Sequence, residues 1–190
     1  MPVEAATLRL VLYPAPALRL RASAVEKITD EVRAVAARML EVMREHEGIG
    51  MAAPQVGLPW RLFVADVPED KERSASGEVP TATRGPVVYV NPVLSAFAGA
   101  PEPYEEGCLS LPEIRGDVLR PPIVTLKATD LHGREFTASA GGLLARCWQH
   151  EVDHLDGVLI IDRMTQMSRL RNRAKVRALE KESGKAAARR

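Results

Sequence analysis

Gln149-His150-Glu151-Val152-Asp153-His154 is the stretch on which the reading of this chain turns. Two histidines four apart lie one above the other on a single helical face, about 6 Å along the axis, so both imidazoles reach one metal ion. Glu151 follows the first histidine and leans over the metal's open position. Two neutral ring nitrogens and one nearby carboxylate describe a hydrolytic metal site with the glutamate as general base rather than ligand. The same helix carries an apolar-edged stripe of Leu143, Cys147, His150, Glu151 and His154.

A catalytic site of this kind needs a third protein ligand and one open position. Among the four histidines, His46, His132, His150 and His154, none follows His154, and the downstream Glu180 and Glu182 sit in a basic tail. A metalloendopeptidase reading is therefore short of a ligand. Upstream, Glu106-Gly107-Cys108-Leu109-Ser110-Leu111-Pro112 offers Cys108. Its thiolate completes a Cys-His-His set around Zn²⁺ or Fe²⁺, with water fourth. Taken alone, such a cysteine is more often a small buried hydrophobe. The other cysteine, Cys147, lies roughly 10.5 Å of helix rise from His154, too far for a short side chain to share one metal with it. It is expected to pack in the core.

Gly48-Ile49-Gly50-Met51-Ala52-Ala53-Pro54-Gln55-Val56-Gly57 is nearly free of large polar side chains. A substrate backbone could lie against it, and Gln55 offers an amide donor at its end. No Lys-Ser/Thr follows, so it is not a phosphate loop. A helix end followed by a tight loop is the plainer alternative.

Together, Gly48–Gln55, Glu106–Ser110 and Gln149–His154 resemble the three signature motifs of the peptide deformylase family, in the family's order and at compatible spacings, over residues 8 to 165. The resemblance implies removal of the formyl group from the N-terminal formyl-methionine of newly synthesised polypeptides, co-translationally, with release of formate. It implies Cys108, His150 and His154 as ligands of one divalent metal ion, Fe²⁺ in the first place, with Zn²⁺, Ni²⁺ or Co²⁺ able to substitute. It implies Glu151 as catalytic glutamate, and the Gln55 amide with the Leu109 N–H as oxyanion donors. Arg115 is a substrate-binding candidate on the same basis. Met51, Arg146 and Trp148 depart mildly from the usual pattern. Helix geometry adds Leu143 and Cys147, with Ile49, as the pocket for the methionine side chain. Gly50 and Gly107 are expected to present backbone groups to the peptide, strand-fashion. Glu106 and Asp153 are candidates to orient the ligands. Gln149 either bonds a ligating group or faces solvent.

At 190 residues, with 46% hydrophobic and 27% charged, the chain has the size and balance of one globular domain. No apolar run approaches the ~20 residues needed to span a bilayer. Met1-Pro2-Val3-Glu4 has no basic, apolar leader, and two cysteines make no disulfide framework. A cytoplasmic location is expected, with neither membrane nor DNA as partner. Met167 to Arg190 holds nine Lys/Arg and two Glu, against 17 basic and 23 acidic residues elsewhere. This basic tail, 167–190, on a catalytic body, 1–166, suggests an anionic partner, and ribosomal RNA near the nascent chain is the expectation. A non-enzymatic RNA-binding module is the competing reading.

Residues 7 to 20 are expected to be extended and turn-rich around Pro14 and Pro16. A helix capped by Thr29 or Asp30 runs to about Glu47, with Gly48 as its stop. Strands are expected at 61–66, 87–90 (ended by Asn91-Pro92), 123–129, 135–138 and 158–161, with a hairpin turn at 130–134. Residues 68 to 86 read as a mobile surface loop. The motif helix is expected over 141–156 and a polar helix from about Ser168. His46, at the end of the first helix where a charged imidazole would favour the dipole, reads as structural, and His132, in the hairpin turn, as exposed and inert. The sum is an α+β domain, with short mixed or antiparallel sheets around a central metal-binding helix.

Overall fold

Helix α1, Asp30–Glu45, begins as its sequence dictates. The Thr29 hydroxyl accepts from the Val32 N–H at 3.4 Å, and Asp30 and Glu31 sit where the helix dipole favours negative charge. Val32, Val35, Ala36, Met39, Val42 and Met43 bury one face. The helix is stopped by Glu47 in a left-handed conformation (φ 55°), which lets the Gly48 N–H return to the Met43 carbonyl at 2.9 Å. A computed structural model of the chain describes residues 3–69 and 79–187, with side chains of the last helix described to Lys181.

Among the described residues, seven strands follow or alternate with the helices: β1 Gly50–Ala52, β2 Leu62–Ala65, β3 Val87–Ala98, β4 Glu102–Cys108, β5 Leu111–Arg120, β6 Ile123–Thr129 and β7 Glu135–Gly141. Then come α2 Gly142–Leu155, α3 Ile160–Arg163 and α4 Gln166–Ala187. Five strands form one antiparallel sheet in the order β1-β2-β3-β6-β7, and β4-β5 form a separate antiparallel hairpin. The fold is α+β, as expected.

The main sheet lies between two helices, which explains the uninterrupted apolar run of β2. Leu62 and Val64 join Met51, Val90 and the apolar face of α1. Phe63 and Ala65 join Ala52 and the α2 residues Leu144, Ala145, Trp148 and Val152. Each large side chain so buried contributes about 1.5–3 kcal/mol. A third cluster joins β5 (Leu111, Ile114, Val118) to Leu159, Ile160 and Met164, with Cys108 packed at its margin.

Several local expectations are corrected. The segment 158–161 is no strand. Gly157 (φ 74°) turns the chain out of α2, and the Asp162 carboxylate accepts from the Leu159 N–H at 2.8 Å, starting the short α3. β3 does not end at Asn91-Pro92 but runs through it, because a bulge between Val90 and Val93 takes the proline out of the ladder. Asn91 there adopts φ 52°, and its amide bonds both the N–H and the carbonyl of Val25. The β4-β5 hairpin was not foreseen, since Glu102–Cys108 shows no apolar alternation. Of the expected loop, 70–78 lies outside the described residues. The remainder is tied down: the Thr83 N–H bonds the Val67 carbonyl, and Pro80 and Thr81 carbonyls receive the Gly141 and Leu144 N–H groups. These carbonyls satisfy the start of α2, which has no side-chain cap.

Helix α4 packs on β5. The Ser168 hydroxyl accepts from the Asp117 N–H at 2.9 Å, and the Asn172 amide donates to the Arg115 carbonyl at 2.7 Å. The basic tail thus begins within a packed helix. Its side chains from Glu182 onward lie outside the described residues.

Candidate active site

One face of α2 supplies His150, Glu151 and His154, and it looks onto the turn joining β4 to β5. Cys108 ends β4, and Leu109 and Ser110 form that turn. The Cys108 sulfur lies 3.3 Å from His154 Nε2, and the nearest ligand atoms of Cys108, His150 and His154 all fall within 4.8 Å of one another. The two imidazole rings are 5.0 Å apart and steeply tilted, converging on one point instead of stacking.

Glu106 fixes one of them. Its Oε2 sits 3.0 Å from His150 Nδ1, which leaves Nε2 free to face the cluster. The carboxylate is held in turn by Arg120, through Nε at 2.7 Å and Nη2 at 3.0 Å. Burial alone would raise the Glu106 pKa, yet the His150 and Arg120 bonds outweigh it and hold the carboxyl below the usual carboxylate range. Burial likewise works against a charge on His150, but Cys108 and Glu106 overcome it and raise its affinity for a proton well above normal. Burial, then the neighbouring His150, keeps His154 neutral. One cysteine sulfur and two imidazoles, with ligand atoms within 4.8 Å of one another, fit a divalent transition metal.

Glu151 is 4% exposed, and its Oε2 has no partner among the described residues. Burial pushes its carboxyl up to about 7. Such a group is poised to take and return a proton near neutral pH. Gly50 makes room for it, because a Cβ there would come within 2.5 Å of Glu151 Oε1. The Gln55 amide is oriented by its own backbone: Oε1 accepts from the Ala52 N–H at 2.8 Å, which turns Nε2 toward Ser110 Oγ at 3.3 Å and Cys108 Sγ at 3.7 Å.

These groups open onto a cavity of about 380 Å³. Gln55, Cys108, Leu109, His150 and Glu151 line it, as do Ile49, Gly50, Gly107, Arg115, Leu143 and Cys147. His154 is buried behind the lining at 1% exposure. The Cys147 thiol faces the Ile49 carbonyl at 3.8 Å, and burial raises its pKa well above normal, so it stays a neutral wall group. Arg115 is exposed at the mouth, 4.0 Å from Glu105.

Two expectations change. Asp153 touches no ligand: it pairs with Arg120 and Arg163, each at 2.8 Å, and so acts one bond further out. Gln149 neither bonds a ligand nor faces solvent; its amide donates to the Pro121 and Ala145 carbonyls at 3.0 Å. His132 is exposed, as expected, and so is His46, the C-cap of α1; neither belongs to the Cys-His-His cluster. Sequence reasoning missed Arg120 and Ser110. Arg120 stands in no local motif, and only the pairing of β4 with β5 brings it to Glu106.

The polypeptide deformylase family model matches residues 7–170. The chain belongs to that family. It is 42% identical over 171 residues to a peptide deformylase of Acinetobacter baumannii, covering 90% of each chain. A plant peptide deformylase crystal structure superposes with a TM-score of 0.84 at 36% identity, covering 96% of this chain and 94% of that one. A peptide deformylase of Synechococcus elongatus, solved in complex with actinonin, gives a TM-score of 0.75 at 39% identity, covering 94% and 88%. The enzyme is thus a hydrolase of protein biosynthesis that removes the N-formyl group from new polypeptides. No helix among the described residues is long and apolar enough to cross a membrane.

Proposed function

We propose that Cys108, His150 and His154 hold one divalent metal ion, natively Fe²⁺, and that Glu151, Gln55 and Leu109 act beside it on the formyl group of formyl-methionyl nascent chains. What supports this most is the buried Glu151 carboxyl, whose Oε2 has no hydrogen-bond partner among the described residues, set one residue from His150 and lining the same cavity as Cys108 and His150. When bound, the metal supplies Lewis acidity, polarising the carbonyl and bringing water's pKa toward neutrality. Zn²⁺, Ni²⁺ or Co²⁺ would serve with the same donor set.

Glu151 accepts the proton of the attacking water, and its raised pKa then lets it hand that proton to the leaving amine. The Gln55 amide and the Leu109 N–H donate to the developing oxyanion, each contributing roughly 2.7–4 kcal/mol in the transition state. Ile49, Leu143 and Cys147 receive the methionine side chain. Gly50 and Gly107 offer backbone groups to the peptide, and Arg115 reaches its later residues from the mouth. The catalytic body, 1–166, and the basic tail, 167–190, divide the labour. In this reading Arg169, Arg173 and Arg177, four apart along α4, meet ribosomal RNA in the cytoplasm, where formylated chains emerge.

The test is formate release from formyl-Met-Ala-Ser by protein purified anaerobically and loaded with Fe²⁺. Rapid release by wild type, and none by Glu151→Ala with a full metal complement, is the expected result. No release from fully metallated wild type would overturn the proposal. The tail is tested by salt-dependent ribosome binding, which should weaken when residues beyond 167 lose their positive charge.

A further inference from the structure

The ligand set is split between two bodies. Cys108 belongs to the β4-β5 hairpin, which pairs with no strand of the main sheet, whereas His150 and His154 ride on α2. Metal ligands must be held to about 0.5 Å to bind well. Something must therefore lock the hairpin to the helix.

Arg146 lies one turn before His150 on α2, and its guanidinium reaches both strands of the hairpin. Nη1 donates to Glu106 Oε1 and to the Val118 carbonyl, each at 2.9 Å. Nη2 donates to the Glu102 carbonyl at 3.0 Å. The guanidinium carbon also sits 5.5 Å from the centre of the Tyr104 ring. Glu102, Tyr104 and Glu106 alternate along β4, so the fork lies along one face of that strand and touches β5 beyond it. The other oxygen of Glu106 is the one that faces His150. Arg120 makes the return connection, from the hairpin to Asp153 on α2 at 2.8 Å.

We propose that Arg146 is a positioning residue of the metal centre: it docks the hairpin bearing Cys108 onto the helix bearing His150 and His154, and so sets how closely thiolate and imidazoles converge. The inference rests on those three residues being the ligands. Planar geometry is what the position needs. Three acceptors in two directions plus an aromatic face suit a guanidinium, whereas a lysine ammonium is a single point charge on a narrower stem.

The experiment compares wild type, Arg146→Met, Arg146→Lys and Arg163→Met, each loaded with Co²⁺. Affinity is read by competition with a chelator, and the Cys108 bond by the thiolate-to-cobalt charge-transfer band. Arg146→Met should bind Co²⁺ roughly ten- to a hundredfold more weakly, the usual range for loss of a group that orients ligands. Its charge-transfer band should shift or weaken, and Arg146→Lys should recover part of both. Arg163→Met, which removes an outer partner of Asp153 at 2.8 Å, should match wild type. Wild-type affinity and an unchanged band in Arg146→Met would overturn the proposal. If that variant does not fold, Arg146→Lys decides: severalfold weaker binding supports the docking role, and equal binding refutes it. A wild type lacking the thiolate band would instead remove Cys108 from the ligand set, and the proposal with it.

Discussion

Replacing Gly50 by alanine tests the placement of Glu151, with Cys147 as the other side chain that it crowds. Gly50 sits in an ordinary strand, so the substitution meets a question of space and not of backbone conformation. The new Cβ would stand 2.5 Å from Glu151 Oε1, 2.8 Å from Cys147 Sγ and 3.0 Å from Glu151 Cδ. Carbon contacts settle near 3.5–4.0 Å, so the carboxylate must retreat by about 1 Å. A displacement of that size can cost about 10²-fold in rate, within the 10²–10⁴ that a general base supplies. The methyl group should also destabilise a packed region by about 1–3 kcal/mol, roughly 2–12 °C in Tm for a chain of this size. The three nearest atoms belong to Glu151 and Cys147, and none is a ligand atom of Cys108, His150 or His154. Formate release should therefore show kcat about a hundredfold lower, with the metal stoichiometry of wild type by elemental analysis. A kcat within threefold of wild type would refute the reasoning. So would a loss of activity that tracks a loss of metal.

Gln55→Ala should lower kcat by roughly 10²–10³-fold with metal content intact, since it removes one preorganised donor and no ligand; unchanged kcat would exclude Gln55 from the oxyanion site. Phe63→Ala removes a fully buried ring stacked 4.4 Å from Tyr89, and thermal unfolding should show a loss of about 3–5 kcal/mol. Glu106 has a depressed pKa in the folded chain, so its contribution is present above about pH 4.5 and is lost as pH falls further. The Tm of metal-free protein should drop on acidification through that window, and Glu106→Gln should flatten this part of the profile.

Much of the site is legible in the chain because its chemistry is local. His150, Glu151 and His154 fall on one face through helical geometry alone, and Thr29 and the apolar spacing of 32–43 specify α1 without outside help. The alternation of Ile123–Thr129 and the Asp130–Arg134 turn likewise forecast β6, β7 and their hairpin. Where local preference and tertiary context disagree, context prevails. Val158–Ile161 is rich in strand formers, yet the Asp162 carboxylate captures the Leu159 N–H and starts a helix. Asn91-Pro92 looks like a strand end, yet β6 lets the ladder resume beyond a bulge.

By itself, the sequence determined the kind of chemistry: a two-histidine, one-glutamate helix face, a cysteine upstream and an amide-bearing glycine loop. Only the tertiary structure decided how these meet. It brings the Cys108 sulfur to 3.3 Å from His154 Nε2 and leaves Cys147 as a neutral wall of the cavity. It gives Glu106 to His150 and pairs Asp153 with arginines instead. It also assigns Arg120, which stands in no motif, and Arg146, one turn before His150, to the carboxylate that orients a ligand. The reason is that helix periodicity is set by neighbours a few residues away, whereas a thiolate, a carboxylate and a guanidinium acquire their partners only when the β4-β5 hairpin packs against α2.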